Sequence, residues 1–247
     1  MLTIKTDYEI ELMRKAGAIV RDVLEIVGNN AKPGVTTRKL DAIAYDYIKK
    51  CGAHPSFLGY GGFPSSICTS IDEEIVHGIP SGRVLEEGCL LKIDAGACLN
   101  GFHADAARTF LIGNVSEEKR LLAKACEESF FRGISILKDG IRLGDLGNCI
   151  QTFVEGKGYS VVRELVGHGI GRELHEDPSV PNYGIMGRGL RLSKNMTIAI
   201  EPMINYGTRK VQILEDNWTV VTQDGKPSAH YENTVVIKEE GVEILTL

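Results

Sequence analysis

Ile93-Asp94-Ala95-Gly96-Ala97-Cys98-Leu99, then Asn100-Gly101, then Phe102-His103-Ala104-Asp105 is the stretch on which the fold turns. Asn-Gly between two such runs is the strongest short-range hairpin signal, because a type I′ turn needs positive φ at both central residues. With Asn100 and Gly101 at the turn centre, Leu99 pairs with Phe102 and Gly96 with Asp105, provided no bulge breaks the register. Asp94 and Asp105 then share one sheet face as diagonal neighbours. A carboxylate leaving a strand is costly to bury unless a cation meets it, and a divalent metal is the strongest candidate. His168, Glu201 and Glu232 extend the set to five, four of them on strand-like segments. Five such ligands suit two divalent ions roughly 3.5–4 Å apart, which makes metal-assisted hydrolysis the leading chemistry.

Outward from the hairpin, the chain repeats itself. Lys32-Pro33-Gly34-Val35-Thr36-Thr37-Arg38-Lys39-Leu40 resembles Lys138-Asp139-Gly140-Ile141-Arg142-Leu143-Gly144-Asp145-Leu146, 106 positions later, and Glu201 follows Asp94 by 107. A helix precedes each Lys-x-Gly turn. Thr6 with Glu9 makes a capping-box pattern ahead of Ile10, Met13, Gly17, Val20 and Leu24, and Ser116 precedes Leu121, Leu122, Ala125 and Ile134. Shorter helices follow near Thr37 to Lys50 and Gly144 to Glu155, then a glycine-rich stretch, then strands carrying two acids. This order predicts one α+β catalytic domain over 1–247, with halves of about 1–113 and 114–247 packing their sheets together and helices on the outer face. The metals would lie at the seam. The acids are 31 residues apart in the second half against 11 in the first, so the second half carries an insertion, which includes Trp218 and a strand from Trp218 to Thr222.

Composition sets the outer bounds. A chain of 247 residues with 43% hydrophobic content has an ample core. The first fourteen residues hold no apolar run long enough for a signal peptide or membrane span, so a cytoplasmic protein is expected. Cys51, Cys68, Cys89, Cys98, Cys126 and Cys149 form no C-x-x-C pair, which argues against a zinc knuckle or disulfide framework. A net charge of −5 without a long basic run leaves no footprint for a specific nucleic-acid sequence.

Histidines supply the remaining chemistry. His168 stands between glycines, where an imidazole can approach a metal closely. His103 and His230 each precede an acid by two positions, and an orienting role behind the ligands or solvent exposure fits them better than ligation. His175-Glu176 is followed by Asp177-Pro178, so it is no H-E-x-x-H helix. Gly167-x-Gly169-x-Gly171 lacks dinucleotide spacing, and Ser65-Ser66 has no G-x-S-x-G setting.

Leu58-Gly59-Tyr60, Cys68-Thr69-Ser70, Val76-His77-Gly78-Ile79-Pro80, Ile93-Asp94, Gly101-Phe102-His103-Ala104-Asp105, Gly167-His168-Gly169-Ile170-Gly171, Ile200-Glu201-Pro202-Met203 and Glu232-Asn233-Thr234 occur in the order of a known family. Over essentially its whole length the chain resembles the type I methionine aminopeptidases. The resemblance implies the two-halved pita-bread fold, a central antiparallel sheet covered by helices, and a monomer. It implies removal of the initiator methionine from nascent proteins, favouring a small second residue, with water activated between two divalent ions (cobalt, manganese, iron or zinc). Asp94 would bind one ion, His168 and Glu201 the other, and Asp105 and Glu232 both. Glu201 would relay a proton, His175 contact the scissile carbonyl, and His77 contact the nitrogen of the second residue.

Methionine recognition calls for a closed apolar pocket. Tyr60, Phe63, Cys68 and Trp218 are the implied lining, although ordinary core is an equal reading for Cys68 and Trp218. Phe57 and Leu174 depart from residues common in relatives, a cysteine and an aromatic. Carbonyls near Asp72, Glu74 and Ser228 suggest a further monovalent-cation site. Arg188, Arg191, Lys194, Arg209 and Lys210 offer charge for ribosome contact, with a solvated surface as their default. Two other readings remain: a proline-specific pita-bread peptidase, which usually carries a large extra N-terminal domain, and a non-catalytic peptide- or ribosome-binding protein, which would have lost ligands that are all present here.

Overall fold

The structure, a computed structural model, describes residues 2–247. Its first helix, α1, runs over Asp7–Asn30 and opens on the expected capping box: Thr6 Oγ1 accepts from the Glu9 N–H, and the Glu9 carboxylate accepts from the Thr6 N–H. Ile10, Met13, Gly17, Val20 and Leu24 all face inward. The helices α2 (Thr37–Lys50), α3 (Glu117–Ile134, capped by Ser116) and α4 (Leu143–Gly156) complete the set. Leu122 and Ala125 of α3 are buried as expected, whereas Leu121, also expected inside, is exposed.

The sequence repeat is a backbone repeat. Gly34 and Gly140 take φ of 89° and 86°, the left-handed conformation that glycine adopts without penalty. Gly34 N–H donates to Leu85 O and Gly140 N–H to Leu192 O; Leu85 N–H returns to Val35 O and Leu192 N–H to Ile141 O. The two halves therefore share a helix–turn–helix hooked to the chain by the same bonds.

The hairpin has the expected register. Leu99 pairs with Phe102, Gly96 with Asp105 and Asp94 with Ala107, and Asn100 and Gly101 have φ of 53° and 77°. No bulge interrupts the Leu90–Leu99 and Phe102–Leu111 strands. Ile67–Ile71 and His54–Pro55 pair with the other edge of Leu90–Leu99, completing a four-stranded sheet. Leu91, Ile93 and Ala95 point toward α1 and α2, packing on Val20, Val23, Leu40 and Ile48. The alternate residues Lys92, Asp94 and Gly96 take the opposite face.

In the second half, the strands Val242–Ile244, Asn233–Ile237, Thr197–Ile200, Gly167–Gly169 and Glu176–Val180 form a five-stranded antiparallel sheet in that order. Ile198, Ile200, Val235 and Ile237 pack on Leu122, Phe130, Leu146 and Ile150 of α3 and α4. Burying each such side chain contributes about 1.5–3 kcal/mol. The sheets meet where Glu232 N–H donates to Ala107 O (3.0 Å), Ala107 N–H to Glu232 O (3.3 Å), and Asp105 N–H to Thr234 Oγ1 (2.9 Å). Arg108 secures the seam by donating to Glu232 O, Asn233 Oδ1 and Thr246 O.

Two elements differ from the sequence expectation. Asp94, Asp105 and His168 lie within strands, whereas Glu201 directly follows Thr197–Ile200 and Glu232 directly precedes Asn233–Ile237. Pro202 has no N–H to continue the ladder. Because Ile200 pairs with Asn233, the two glutamates still face each other across the end of the sheet. The strand expected from Trp218 starts only at Val220, since Asp216 Oδ1 accepts from the Trp218 and Thr219 N–H groups in a side-chain-stabilised turn. That strand pairs with Glu74–Val76 of the first half, so the insertion reaches back across the seam beside His77.

Candidate active site

At the seam the side chains of Asp94, Asp105, His168, Glu201 and Glu232 converge. His168 Nε2 lies 3.9 Å from Asp105 Oδ2 and 3.8 Å from Glu201 Oε1. Its Nδ1 is 2.8 Å from Gly169 O, which requires the proton on Nδ1 and leaves the Nε2 lone pair facing the acids. Lone pairs on nitrogen and carboxylate oxygen repel unless a cation lies among them. Asp94 Oδ1, Asp105 Oδ1 and Glu232 Oε1 are buried and accept no hydrogen bond. Burial first, and mutual repulsion for Asp105, Glu201 and Glu232, pushes those three carboxyls well above the usual range. Burial takes Asp94 up to about 7 and His168 down to about 4. Orphaned acceptors and an unprotonated imidazole fit divalent cations. Donor atoms of Asp105, His168 and Glu232 lie within 4.8 Å of one another, as do those of Glu201, His230 and Glu232.

These groups floor a cavity of about 290 Å3 whose walls include Phe57, Tyr60, Phe63, Cys68, Leu174 and Trp218. Trp218 meets Phe63 edge-on at 5.1 Å, and burial holds the Cys68 thiol well above its usual value, hence neutral. All four proposed pocket residues thus line one apolar space that ends on the acids. Phe57 and Leu174, the two departures, are buried in the same wall.

His77 and His175 lie in the cavity beside the acids. His77 follows Glu74–Val76 with a φ of 61°, a conformation uncommon for a non-glycine residue, and sits 6.4 Å from the Trp218 ring. Burial lowers it to about 4. The His175 ring crosses that of His168 at 4.3 Å, and its Nδ1 is 2.7 Å from Tyr60 Oη. Burial and then His103 lower its pKa. His103 bonds Ser56 Oγ at 2.9 Å and lies outside the acid cluster.

Two residues have roles that the sequence left unread. His230, expected to match His103, is 1% exposed, and neither ring nitrogen has a hydrogen-bond partner. Its Nε2 is 3.7 Å from Glu201 Oε2 and 3.8 Å from Glu232 Oε2. Lys92 is also 1% exposed, and its Nζ donates to Asp72 O at 2.7 Å. This corrects the monovalent-cation expectation at that carbonyl: an ammonium of the chain and the Ser228 N–H already occupy the Asp72 oxygen. Burial lowers Lys92 to about 8, with Asp72 opposing that shift. The signal was its position, two residues before Asp94 on the same face. Of the basic residues considered for ribosome contact, Arg191 donates to Gly140 O and Lys194 pairs with Glu239. Among the described residues, no helix is long and apolar enough to cross a membrane.

The chain belongs to metallopeptidase family M24, whose model matches residues 11–239. Within that family its likeness is to the methionine aminopeptidases. It is 58% identical to the methionine aminopeptidase of Clostridium acetobutylicum over 248 residues, covering 100% of this chain and 99% of that protein. Identity to methionine aminopeptidase 1 of Bacillus subtilis is 51%, with 100% and 99% covered. The crystal structure of the Thermotoga maritima methionine aminopeptidase superposes with a TM-score of 0.98 at 45% identity, covering 100% of this chain and 99% of that one. A prolidase from Pyrococcus furiosus gives a TM-score of 0.78 at 26% identity, but the match spans 65% of that longer chain against 99% of this one. The architecture is the pita-bread fold these structures share.

Proposed function

We propose that this metallopeptidase releases the N-terminal methionine of nascent proteins and peptides, favouring a small second residue. The observation that carries the reading is the cavity itself: an uncharged apolar pocket that ends on four acids and an unprotonated imidazole. Asp94, Asp105, His168, Glu201 and Glu232 would hold two divalent ions between them. Mixed oxygen and nitrogen donors suit manganese, iron, cobalt or zinc. When bound, the ions supply Lewis acidity and make water acidic enough to ionise near neutral pH.

The chain's own groups do the rest. Tyr60, Phe63, Cys68 and Trp218 surround the methionine side chain without offering it a charge, and exclude water from it. His77 and His175, both neutral near pH 7, serve as hydrogen-bond partners: His77 for the amide nitrogen of the second residue, His175 for the scissile carbonyl. Tyr60, bonded to His175 Nδ1, fixes that ring. Glu201 takes up a proton and returns it to the departing amine. A bulky second residue would crowd the acids on the pocket's floor, which favours a small one. The residues 1–247 act as one catalytic domain, a monomer, in the cytoplasm where nascent chains emerge; Arg188, Arg191, Lys194, Arg209 and Lys210 are the surface charges available to a ribosome.

Hydrolysis of Met-Ala-Ser by metal-stripped protein, with and without added manganese or cobalt, tests this beside a Glu201→Ala variant and an X-Pro dipeptide. Methionine release that needs metal and vanishes in the variant is expected. Cleavage of X-Pro alone would assign the site to the proline-specific relatives, and no cleavage despite full metal loading would leave a binding protein.

A further inference from the structure

His230 has no part in the five-ligand reading, yet its ring faces two of those ligands. Its backbone is fixed on both sides: the His230 N–H donates to Thr109 Oγ1 at 3.0 Å, and that hydroxyl donates back to His230 O at 2.8 Å. Pairing with Met203 adds a ladder contact from the other edge. So held, the ring is buried with both nitrogens unpartnered, and Nε2 faces Glu201 Oε2 and Glu232 Oε2. A lone pair there would oppose two carboxylate oxygens, whereas an N–H there would face an acceptor on each.

The geometry at Glu201 gives that proton a consequence. One carboxylate oxygen, Oε1, faces His168 at 3.8 Å, and the other, Oε2, faces His230 at 3.7 Å. We infer that His230 is a positioning residue: its Nε2–H donates to Glu201 Oε2 and so commits Oε1 to the side where His168 and the metal lie. The bond requires the Glu201 side chain to close this 3.7 Å separation to hydrogen-bond length. Carboxylates that bind metals need such a partner to stop the group swinging, and losing it typically costs about 10–100-fold in metal affinity. This inference rests on the metal-binding reading of the five residues. His230 touches neither substrate nor, in this assignment, the ions.

Titration with manganese alone, followed by calorimetry and by the loss of the free-ion electron paramagnetic resonance signal, tests it in the full chain without substrate. His230→Gln keeps an N–H donor at similar reach; His230→Leu fills the space without one. Metal-free thermal melts of each variant check folding. Expected are two ions in all three proteins, affinity within about threefold of the parent for Gln, and a loss of about 10–100-fold for Leu in the ion held by Glu201. Parent-like affinity in the Leu variant would reduce His230 to a space-filling residue. Loss of one ion in both variants would make it a ligand in its own right, with Glu201 and Glu232. A parent protein that binds no manganese would overturn the metal reading itself, an outcome distinct from either.

Discussion

Asp94→Asn should make the metal-free protein more stable, and increasingly so as pH rises. Burial holds the Asp94 carboxyl at about 7 in the folded chain, against 3.8 for an ordinary aspartate. Between those values the folded protein keeps a proton that the unfolded chain has released. The contribution to stability is therefore highest below the unfolded value and is lost as pH climbs through about 7. Each pH unit is worth about 1.4 kcal/mol, so the loss is about 2 kcal/mol at pH 5 and about 4 kcal/mol at pH 8. A carboxamide has no such proton to lose. The advantage of the variant should thus grow by about 2 kcal/mol between the two pH values. The Asp94 charge also raises Asp105, Glu201 and Glu232, so its removal relieves them and acts in the same direction. Urea denaturation in a chelating buffer at pH 5 and pH 8 measures it. An advantage equal at both pH values would show that Asp94 is not strained by ionisation, and the electrostatic case for a cation there would fail. Manganese at a hundred times its Kd should narrow the gap, since it adds about 2.7 kcal/mol to a protein that binds it.

Three further outcomes follow from packing and capping. At Gly17 an added Cβ would lie 2.0 Å from the Leu245 carbonyl oxygen, so Gly17→Ala should cost about 1–3 kcal/mol in denaturant unfolding despite alanine's better helix propensity; an unchanged midpoint would refute the close approach. Thr6→Ala removes the side-chain acceptor for Glu9 N–H and should cost about 1 kcal/mol, with faster amide exchange in the first turn of α1. Trp218→Ala opens the cavity wall against Phe63 and should raise KM for Met-Ala-Ser by at least tenfold, about 1.4 kcal/mol, with manganese affinity unchanged; an unaltered KM would remove Trp218 from the pocket.

The hairpin register was legible because a two-residue turn leaves no freedom: once Asn100 and Gly101 are the corner, every pair down to Asp94 and Ala107 is determined. The helices were legible from their caps, Thr6 and Ser116, and the twofold plan from the Lys-x-Gly turns. Where side chains rather than repeating backbone decide, reading failed. Asp216 diverts the chain into a turn before Val220, and a propensity for strand at Trp218 cannot report that competition. Glu201 and Glu232 sit past strand ends, yet face each other through a pairing of segments far apart in sequence. His230 lies on a short strand buried at every position, so no alternation marks its direction. Lys92 did carry a signal, a charge on the face of Asp94, but its carbonyl partner at Asp72 belongs to a separate loop.

Arg108, on the same strand as Asp105, reaches Asn233 and the carbonyl of Thr246, and the backbone of Asp105 bonds Thr234, 129 positions further along. That tie sets an order of events during synthesis. The two aspartates leave the ribosome on an open sheet face, hydrated and ionised, with nothing yet to repel them but each other. Glu201 arrives much later, Glu232 later still, and the strand of residues 242–244 that flanks Asn233–Ile237 last of all. The crowding of acids therefore comes into being only when Glu232 joins the sheet, so the repulsion among the carboxylates is met at the step that closes the seam.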